Sequence, residues 1–207
     1  LGPGPSLSRA ESSALDSAAL AGLTSEDIMV FSGSVPPDYP TFSYQKLIIS
    51  ARERGAYTII DSSGDLLREA IKAHPDLIKM NAQEAGELAG QEIDGKKQAI
   101  GFAETLLGQR VGAVVVSLGA SGAVLATPSG AWALAVPEIE VRSAVGAGDC
   151  LVAGIAVALS RKRPLEEAFQ LGGACGAAKT RRIESGILEA NDVNLLKDVV
   201  QVTRWQE

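Results

Sequence analysis

The stretch from Ser143 to Asp149 (Ser-Ala-Val-Gly-Ala-Gly-Asp) contains residue types that could bind a phosphate group and accept a proton. Gly146 and Gly148 allow a tight turn in which successive N–H groups point outward. The long apolar run that follows predicts a helix, and the N-terminus of a helix carries a partial positive charge. Asp149 would therefore lie where the hydroxyl of a phosphoryl acceptor loses its proton. A helix cap without any ligand has the same pattern, because Asp and Gly are favoured at such positions.

Two further polar strings allow both a structural and a functional interpretation. The string from Asn81 to Glu84 (Asn-Ala-Gln-Glu) has the pattern of a capping box, in which the first and last residues exchange hydrogen bonds. The Glu84 carboxylate could instead hold the water shell of Mg²⁺, and Lys79 could reach nucleotide phosphates. The residues from Ser117 to Gly122 could form a plain turn with glycines at positive φ, or a turn whose glycines let a nucleotide approach the backbone.

The composition restricts the class of protein. With 207 residues, 46% of them hydrophobic, the chain can bury a sizeable core. The 19 basic and 25 acidic residues give a net charge of −6, so neither nucleic acid nor a membrane is expected as a partner.

Cys150 and Cys175 both fall in apolar helix-like runs, which favours free thiols in a reducing compartment. One histidine makes zinc chemistry improbable, and the longest apolar run (151–159) is too short to span a bilayer, so we expect a cytoplasmic protein.

Helix-like and strand-like segments alternate along the chain, which predicts a parallel sheet covered by helices on both faces. A loop is predicted at 1–5, and tight turns between the last strands predict an antiparallel edge. The predicted fold class is α/β, with three layers (α/β/α) and a mostly parallel central sheet. The predicted strands are 27–32, 57–61, 77–79, 113–117, 123–127, 131–135 and 138–142. The predicted helices are 8–20, 43–54, 65–72, 82–89, 96–109, 150–160, 165–182 and one that begins near 191.

Four polar loops follow predicted strands. In open α/β sheets, ligands bind outside the carboxyl ends of the strands, and functional residues concentrate in the loops at that edge. The sequence therefore predicts one shared ligand edge for the loops at 32–34, 61–64, 79–84 and 117–122.

Five strings occur along the chain in this order: Ser-Gly-Ser-x-Pro-Pro (32–37), Asp-Ser-Ser-Gly (61–64), Lys-x-Asn-x-x-Glu (79–84), Ser-Leu-Gly-x-x-Gly (117–122) and Val-Gly-Ala-Gly-Asp (145–149). Their order and spacing resemble those of the PfkB-type carbohydrate kinases, which have the ribokinase-like fold. The resemblance covers nearly the whole chain, and the combination is specific although each string alone is weak. These versions are most similar to the phosphosugar branch, which includes 1-phosphofructokinase, tagatose-6-phosphate kinase and the minor 6-phosphofructokinase.

The resemblance implies a kinase that transfers the γ-phosphoryl group of ATP to a hydroxyl of a hexose phosphate. Fructose 1-phosphate, fructose 6-phosphate and tagatose 6-phosphate are the candidate acceptors. In this family pattern Asp149 would be the general base and would also contact the sugar. Backbone N–H groups at the start of the predicted helix would form an anion hole: those of Gly146, Ala147, Gly148 and Asp149.

The resemblance also implies binding roles for residues of the other loops. Asn81 and Glu84 would hold Mg²⁺ indirectly, through water, as part of the phosphate network. Ser34 would contact the sugar phosphate. The implied partners are ATP, Mg²⁺ and a sugar phosphate, and the full-length protein could form a homodimer. The residues that would line the ATP site are Lys79, Ser117, Gly119 and Gly122.

The sequence departs from the family pattern at Met80, where proline is usual, at Ala144, where Thr or Ser is usual, and at 179–182, which is more basic. The family's N-terminal part, with its Gly-Gly-Lys-Gly sugar-binding loop and lid strands, is not found in these residues. We therefore expect 1–207 to be a single α/β domain, the C-terminal nucleotide-binding and catalytic portion of such a kinase. The alternative is a catalytically incompetent nucleotide-binding fragment, or a kinase-like protein that binds a partner through a bare sheet edge. A dinucleotide-binding oxidoreductase is a weaker hypothesis, because no Gly-x-Gly-x-x-Gly motif follows the first predicted strand.

Overall fold

The computed structural model describes residues 4–206, so residues 1–3 of the predicted N-terminal loop and residue 207 lie outside the described part of the chain. Seven strands form one sheet, in the order in which they occur along the chain. They are β1 (Ile28–Ser32), β2 (Tyr57–Asp61), β3 (Leu77–Asn81), β4 (Val114–Ser117), β5 (Ala123–Thr127), β6 (Gly130–Ala135) and β7 (Gln201–Arg204). The helices are α1 (Arg9–Leu20), α2 (Ser43–Glu53), α3 (Gly64–Ile71), α4 (Ala82–Ala89), α5 (Lys96–Leu107), α6 (Ala147–Ser160), α7 (Leu165–Thr180) and α8 (Ala190–Lys197).

Strands β1 to β4 are parallel, and β5, β6 and β7 continue the sheet as antiparallel strands. The parallel neighbours are joined by helical crossovers, because a tight turn can connect only antiparallel strands. The register places Ser32 at the end of β1 opposite Asp61, and Asp61 at the end of β2 next to Lys79 of β3. The loops that follow the parallel strands therefore share one edge of the sheet.

The side chains of the central strands alternate between two apolar cores. Ile60 and Val114 face the core under helices α2 to α5, whereas the adjacent Ile59 and Val115 face the core under α6 to α8. All four side chains are fully buried. The predicted α/β class, with three layers and an antiparallel edge, is confirmed. No helix in the described part of the chain is both long and apolar enough to cross a membrane.

The predicted strand at 138–142 is wrong. The segment has no regular structure, and its end is held outside the sheet because the N–H groups of Arg142 and Ser143 donate to the Thr180 carbonyl oxygen. The place beside β6 is taken by β7, which the sequence analysis did not predict, with Trp132 opposite Arg204. Hydrogen bonds to the end of a distant helix, rather than local alternation of polar and apolar residues, decide the path of this segment.

Helices α6 and α7 approach each other closely through small residues. A Cβ atom added to Gly154 of α6 would lie 2.8 Å from the Gly172 Cα atom and 3.0 Å from the Cys175 Sγ atom of α7. Nearer the start of α6, a Cβ atom on Gly176 would lie 3.1 Å from the Ala147 carbonyl oxygen. Both cysteines of the chain are free and buried. This packing brings the C-terminal end of α7 to the N-terminal end of α6.

Replacing Gly154 by alanine should destabilise the protein, because the added methyl group has no space between α6 and α7. We expect Gly154→Ala to lower the free energy of unfolding by about 1–3 kcal/mol, the usual cost of overpacking. The matched control is Gly101→Ala in α5, where an added Cβ atom meets nothing within 4 Å. The control should raise the free energy of unfolding by about 0.5–1 kcal/mol, because alanine favours the helix. Urea unfolding measures both values, and equal effects at the two sites would contradict the close approach.

Candidate active site

A cleft of about 1110 Å³ opens at the carboxyl ends of the parallel strands and extends along the first turn of α6. Loops that follow the parallel strands line one part of the cleft, and the segment 136–141 together with α6 and α7 lines the rest. All eleven residues that the sequence analysis assigned to a site line this cleft: Ser34, Lys79, Asn81, Glu84, Ser117, Gly119, Gly122, Gly146, Ala147, Gly148 and Asp149.

A turn leads into α6, which begins at Ala147 rather than at the predicted residue 150. The Ala144 carbonyl oxygen accepts a hydrogen bond from the Ala147 N–H (3.1 Å), so this predicted member of the anion hole is engaged within the turn. The N–H groups of Gly146, Gly148 and Asp149 donate to no residue in the range 4–206. At the start of a helix, such N–H groups are the natural donors to an anion.

The two glycines of this turn are required for different reasons. Gly146 has φ +84°, and a Cβ atom there would lie 2.8 Å from both the Ser185 Oγ atom and the Gly186 nitrogen. Gly148 lies within the helix, where a Cβ atom would lie 2.5 Å from the Lys79 Nζ atom. The left-handed conformation thus requires glycine at the first position. At the second position, the absence of a side chain leaves space for the Lys79 ammonium group.

An ion pair between Lys79 and Asp61 lies beneath the first turn of α6. The Lys79 Nζ atom donates to both carboxylate oxygens of Asp61, at 3.0 and 3.1 Å. The two side chains are only 7% and 11% exposed. A role was predicted from the sequence for Lys79, and none for Asp61. The signal that could have identified Asp61 is its place at the end of the strand adjacent to that of Lys79.

Three carboxylates share this part of the cleft. Burial raises the pKa of the Asp61 carboxyl, the Lys79 ammonium opposes the shift, and the charges of Glu84 and Asp149 add to it. The net direction for the pKa of Asp61 is upward. An anionic ligand here therefore depends on the positive charge of Lys79 and of the α6 N-terminus to offset these carboxylates.

Asn81 and Glu84 form the predicted capping box at the start of α4. The Glu84 N–H donates to the Asn81 Oδ1 atom (2.9 Å), and the Asn81 N–H donates to the Glu84 Oε2 atom (2.8 Å). The other carboxylate oxygen of Glu84 accepts no hydrogen bond from a described residue. Across residues 4–206, no group of three or more His, Cys, Asp or Glu side chains is arranged to hold a metal ion directly. Because Mg²⁺ usually keeps several waters, a water-mediated contact with Glu84 fits this arrangement.

The other half of the cleft is a mostly apolar slot. On one side is the turn after β4, where Gly119 has φ +58° and Gly122 has φ +87°, as predicted for glycines in a turn. A Cβ atom on Gly122 would overlap the Leu134 carbonyl oxygen, so this turn lies directly against β6. The other wall was not predicted from the sequence, because it is built by the irregular segment that was predicted as a strand and by α7. This wall includes Val136, Pro137, Glu138, Ile139, Val141, Gly173, Gly176, Ala177 and Thr180.

Ser34 lines the cleft at the end of β1. The preceding Gly33 N–H donates to the Asp61 carbonyl oxygen (2.9 Å), and the Ser62 hydroxyl donates to the Gly33 carbonyl oxygen (2.9 Å). These two bonds hold the loop after β1 against the loop after β2. Ser34 therefore follows a backbone segment that is fixed next to the buried ion pair.

Replacing Lys79 by methionine should destabilise the protein, because the buried Asp61 carboxylate would lose its counter-charge. We expect Lys79→Met to lower the free energy of unfolding at neutral pH by about 3–5 kcal/mol. The loss should shrink as the pH falls towards about 4, because the unpaired carboxyl of the folded variant binds a proton more tightly than the unfolded chain does. Guanidinium unfolding over this pH range measures the effect. The control is Lys79→Met/Asp61→Asn, which should recover most of the loss; a double variant as unstable as Lys79→Met would contradict the ion pair.

The sequence of this chain is similar to those of known proteins. Residues 4–191 match the family described as pfkB family carbohydrate kinase. The chain is 36% identical over 178 residues to the 1-phosphofructokinase of Bacillus subtilis, an alignment that covers 86% of this chain and 58% of that protein. It is also 36% identical over 177 residues to the ATP-dependent 6-phosphofructokinase isozyme 2 of Mycobacterium tuberculosis, with 85% and 52% covered.

The fold of this chain is also similar to that of a phosphofructokinase whose structure has been solved. The crystal structure of phosphofructokinase-2 from Escherichia coli superposes with a TM-score of 0.90 at 29% identity, covering 96% of this chain and 65% of that one. The chain thus spans between about half and two thirds of the length of these relatives. Because the family match extends over most of the chain and the related fold is reproduced, this chain belongs to the pfkB family of carbohydrate kinases.

Proposed function

We propose that this chain carries the nucleotide-binding and catalytic part of an ATP-dependent kinase that phosphorylates a hydroxyl of a hexose phosphate. One observation carries the proposal: Asp149 lies in the first turn of α6, beside the free N–H groups of Gly146 and Gly148, in a cleft that continues into an apolar slot. Membership of the family supports transfer of a phosphoryl group to a sugar. The names of the relatives support an acceptor that already carries a phosphate.

Asp149 would act as the general base of this transfer. The sugar hydroxyl oxygen attacks the γ-phosphorus of ATP while its proton passes to an Asp149 carboxylate oxygen. The bond between the γ-phosphorus and the oxygen that bridges to the β-phosphate breaks, and ADP leaves. The N–H groups of Gly148 and Asp149, at the positive end of the α6 dipole, would stabilise the charge on the transferred group.

Lys79 and Glu84 would support the same step from the strand side of the cleft. The Lys79 ammonium lies directly under Gly148 and adds positive charge beneath the transferred group. Asn81 and Glu84 would hold Mg²⁺ through water molecules, and the bound ion supplies further neutralisation of the phosphate charge. The capping box fixes both residues, so the free Glu84 oxygen has a defined position.

The apolar slot suits the base of the nucleotide. A flat aromatic ring suits this slot, because the glycines of the turn leave space on one side and the wall with Val136, Ile139, Gly176 and Ala177 is apolar. The phosphates would then run from the turn at Ser117, Gly119 and Gly122 towards Lys79 and the start of α6. This path uses the ATP-site residues expected from the sequence.

The acceptor would lie between Asp149 and Ser34. We propose fructose 1-phosphate as the first candidate, because the relative from Bacillus subtilis is a 1-phosphofructokinase, with fructose 6-phosphate and tagatose 6-phosphate as the others. We also propose that the chain is one α/β domain, since the two apolar cores flank a single sheet.

Replacing Asp149 by asparagine should remove the base while retaining a side chain of the same size. In the full-length protein, we expect Asp149→Asn to lower kcat by about 10²–10⁴-fold, the usual contribution of general base catalysis. Affinity for Mg-ATP should remain close to that of the wild type. Formation of ADP in the presence of each of the three hexose phosphates measures kcat, and calorimetry measures the affinity.

The matched control is Asp65→Asn. Asp65 also lies in the first turn of a helix, α3, but it is exposed and does not line the cleft. This control should leave kcat unchanged. Wild-type turnover by Asp149→Asn would show that Asp149 is not the base, and binding of Mg-ATP without turnover by the wild-type protein would overturn the proposed function.

A further inference from the structure

Lys179, in the last turn of α7, is completely buried (0% exposed), and the mechanism above does not use it. Its Nζ atom donates to the Ser143 carbonyl oxygen (3.0 Å) and to the Arg182 carbonyl oxygen (3.2 Å). Among the described residues, no carboxylate forms an ion pair with it. A buried ammonium without a counter-charge is costly unless its donors are well satisfied, so a specific role is required to explain its position.

The two carbonyl groups belong to the segments on either side of residues 144–149, the proposed anion-binding turn. Ser143 directly precedes the turn. Arg182 begins the loop whose Gly186 packs against the turn, where a Cβ atom on Gly146 would lie 2.8 Å from the Gly186 nitrogen. One side chain therefore joins the chain entering the turn to the loop that supports the turn.

Other contacts hold each of the same two segments separately. The Thr180 carbonyl oxygen accepts the N–H groups of Arg142 (2.7 Å) and Ser143 (3.1 Å). The buried Asp192 of α8 accepts a hydrogen bond from the Arg182 guanidinium group (2.9 Å), which anchors the supporting loop to α8. Lys179 supplies the contact that joins the two segments to each other.

The charge of Lys179 also acts near the start of α6. Burial raises the pKa of the Cys150 thiol, the Asp149 carboxylate adds to this shift, and the Lys179 ammonium opposes it. Cys150 follows Asp149 directly, so Lys179 contributes positive potential behind the turn that carries the candidate base.

We infer that Lys179 is a positioning residue, whose buried ammonium ties the segment before the anion-binding turn to the loop that supports the turn. It thereby holds the N–H groups of Gly148 and Asp149 in place to receive an anion. The identification of that anion as a phosphoryl group rests on the proposed function.

The first test replaces the charge and keeps the length of the side chain. In the full-length protein, Lys179→Met should lower kcat with a hexose phosphate by about 10- to 100-fold, the effect of losing hydrogen bonds from a charged donor. Its affinity for Mg-ATP, measured by calorimetry, should fall as well. The matched control is Lys97→Met, which changes an exposed lysine of α5 that does not line the cleft. Wild-type kcat and wild-type Mg-ATP affinity in Lys179→Met would overturn the inference, whatever the melting temperature.

The second test asks whether the ammonium itself matters. Lys179→Ala leaves a space next to the two carbonyl oxygens, and methylammonium chloride should raise both kcat and the melting temperature of this variant. Choline chloride at equal ionic strength should raise neither, because its bulky cation has no N–H donors. The same salts should not alter the wild-type protein. Absence of any specific effect of methylammonium would overturn the inference.

The melting temperature and the Mg-ATP affinity do not depend on the sugar acceptor. If the wild-type protein phosphorylates none of the hexose phosphates, the proposed function is wrong. A methylammonium effect on the melting temperature and the Mg-ATP affinity of Lys179→Ala would still support the role of Lys179. If hexose phosphates are phosphorylated and methylammonium has no effect, only the inference about Lys179 is wrong.

Discussion

The site depends on the close approach of α6 and α7. Where Gly154 meets Gly172, and where Gly176 meets the Ala147 carbonyl oxygen, no side chain separates the two helices. Larger residues would push the helices apart, because the distance between packed helices depends on the side chains at their contact. The end of α7 would then no longer reach the segment around Ser143, which its backbone and a buried lysine both hold. A constraint that lies in the core therefore determines the geometry of a turn at the surface.

The negative charges around the cleft would oppose the binding of an anion. The protein has a net charge of −6, and three carboxylates line the region where a phosphorylated ligand would lie. Local positive charge has to offset them, and it comes from the N-terminus of α6 and from Lys79. Both act at short range, because Gly148 has no side chain and lets the ammonium approach the backbone of the helix. Gly148 therefore affects the position of the Lys79 charge as well as the path of the backbone.

Most of the fold could be predicted because its elements have strong local signals. The strand at 123–127 and the helix at 82–89 were predicted with the bounds that the structure shows. In the sheet, the error concerns one position, the place beside β6. The residues at 138–142 alternate as in an edge strand, whereas β7 is short and mostly polar, so local patterns favour the wrong segment. The outcome depends on which segment can pair with β6 while the N–H groups of Arg142 and Ser143 bind the end of α7.

The sequence by itself determined the α/β class, the order of the polar loops and the set of eleven residues that meet in one cleft. For seven of these residues it could do so because parallel β/α units place the ends of β1, β3 and β4 and the loops after them at one edge. The other four, from Gly146 to Asp149, were assigned from the family resemblance, and they lie at the start of α6. Only the tertiary structure decided the pairing of Lys79 with Asp61, the engagement of the Ala147 N–H within its turn, and the contacts of Lys179. Periodicity and turn chemistry act between neighbours along the chain and can be read from it. Ion pairs and hydrogen bonds between distant segments depend on distances that exist only after the helices and strands have packed.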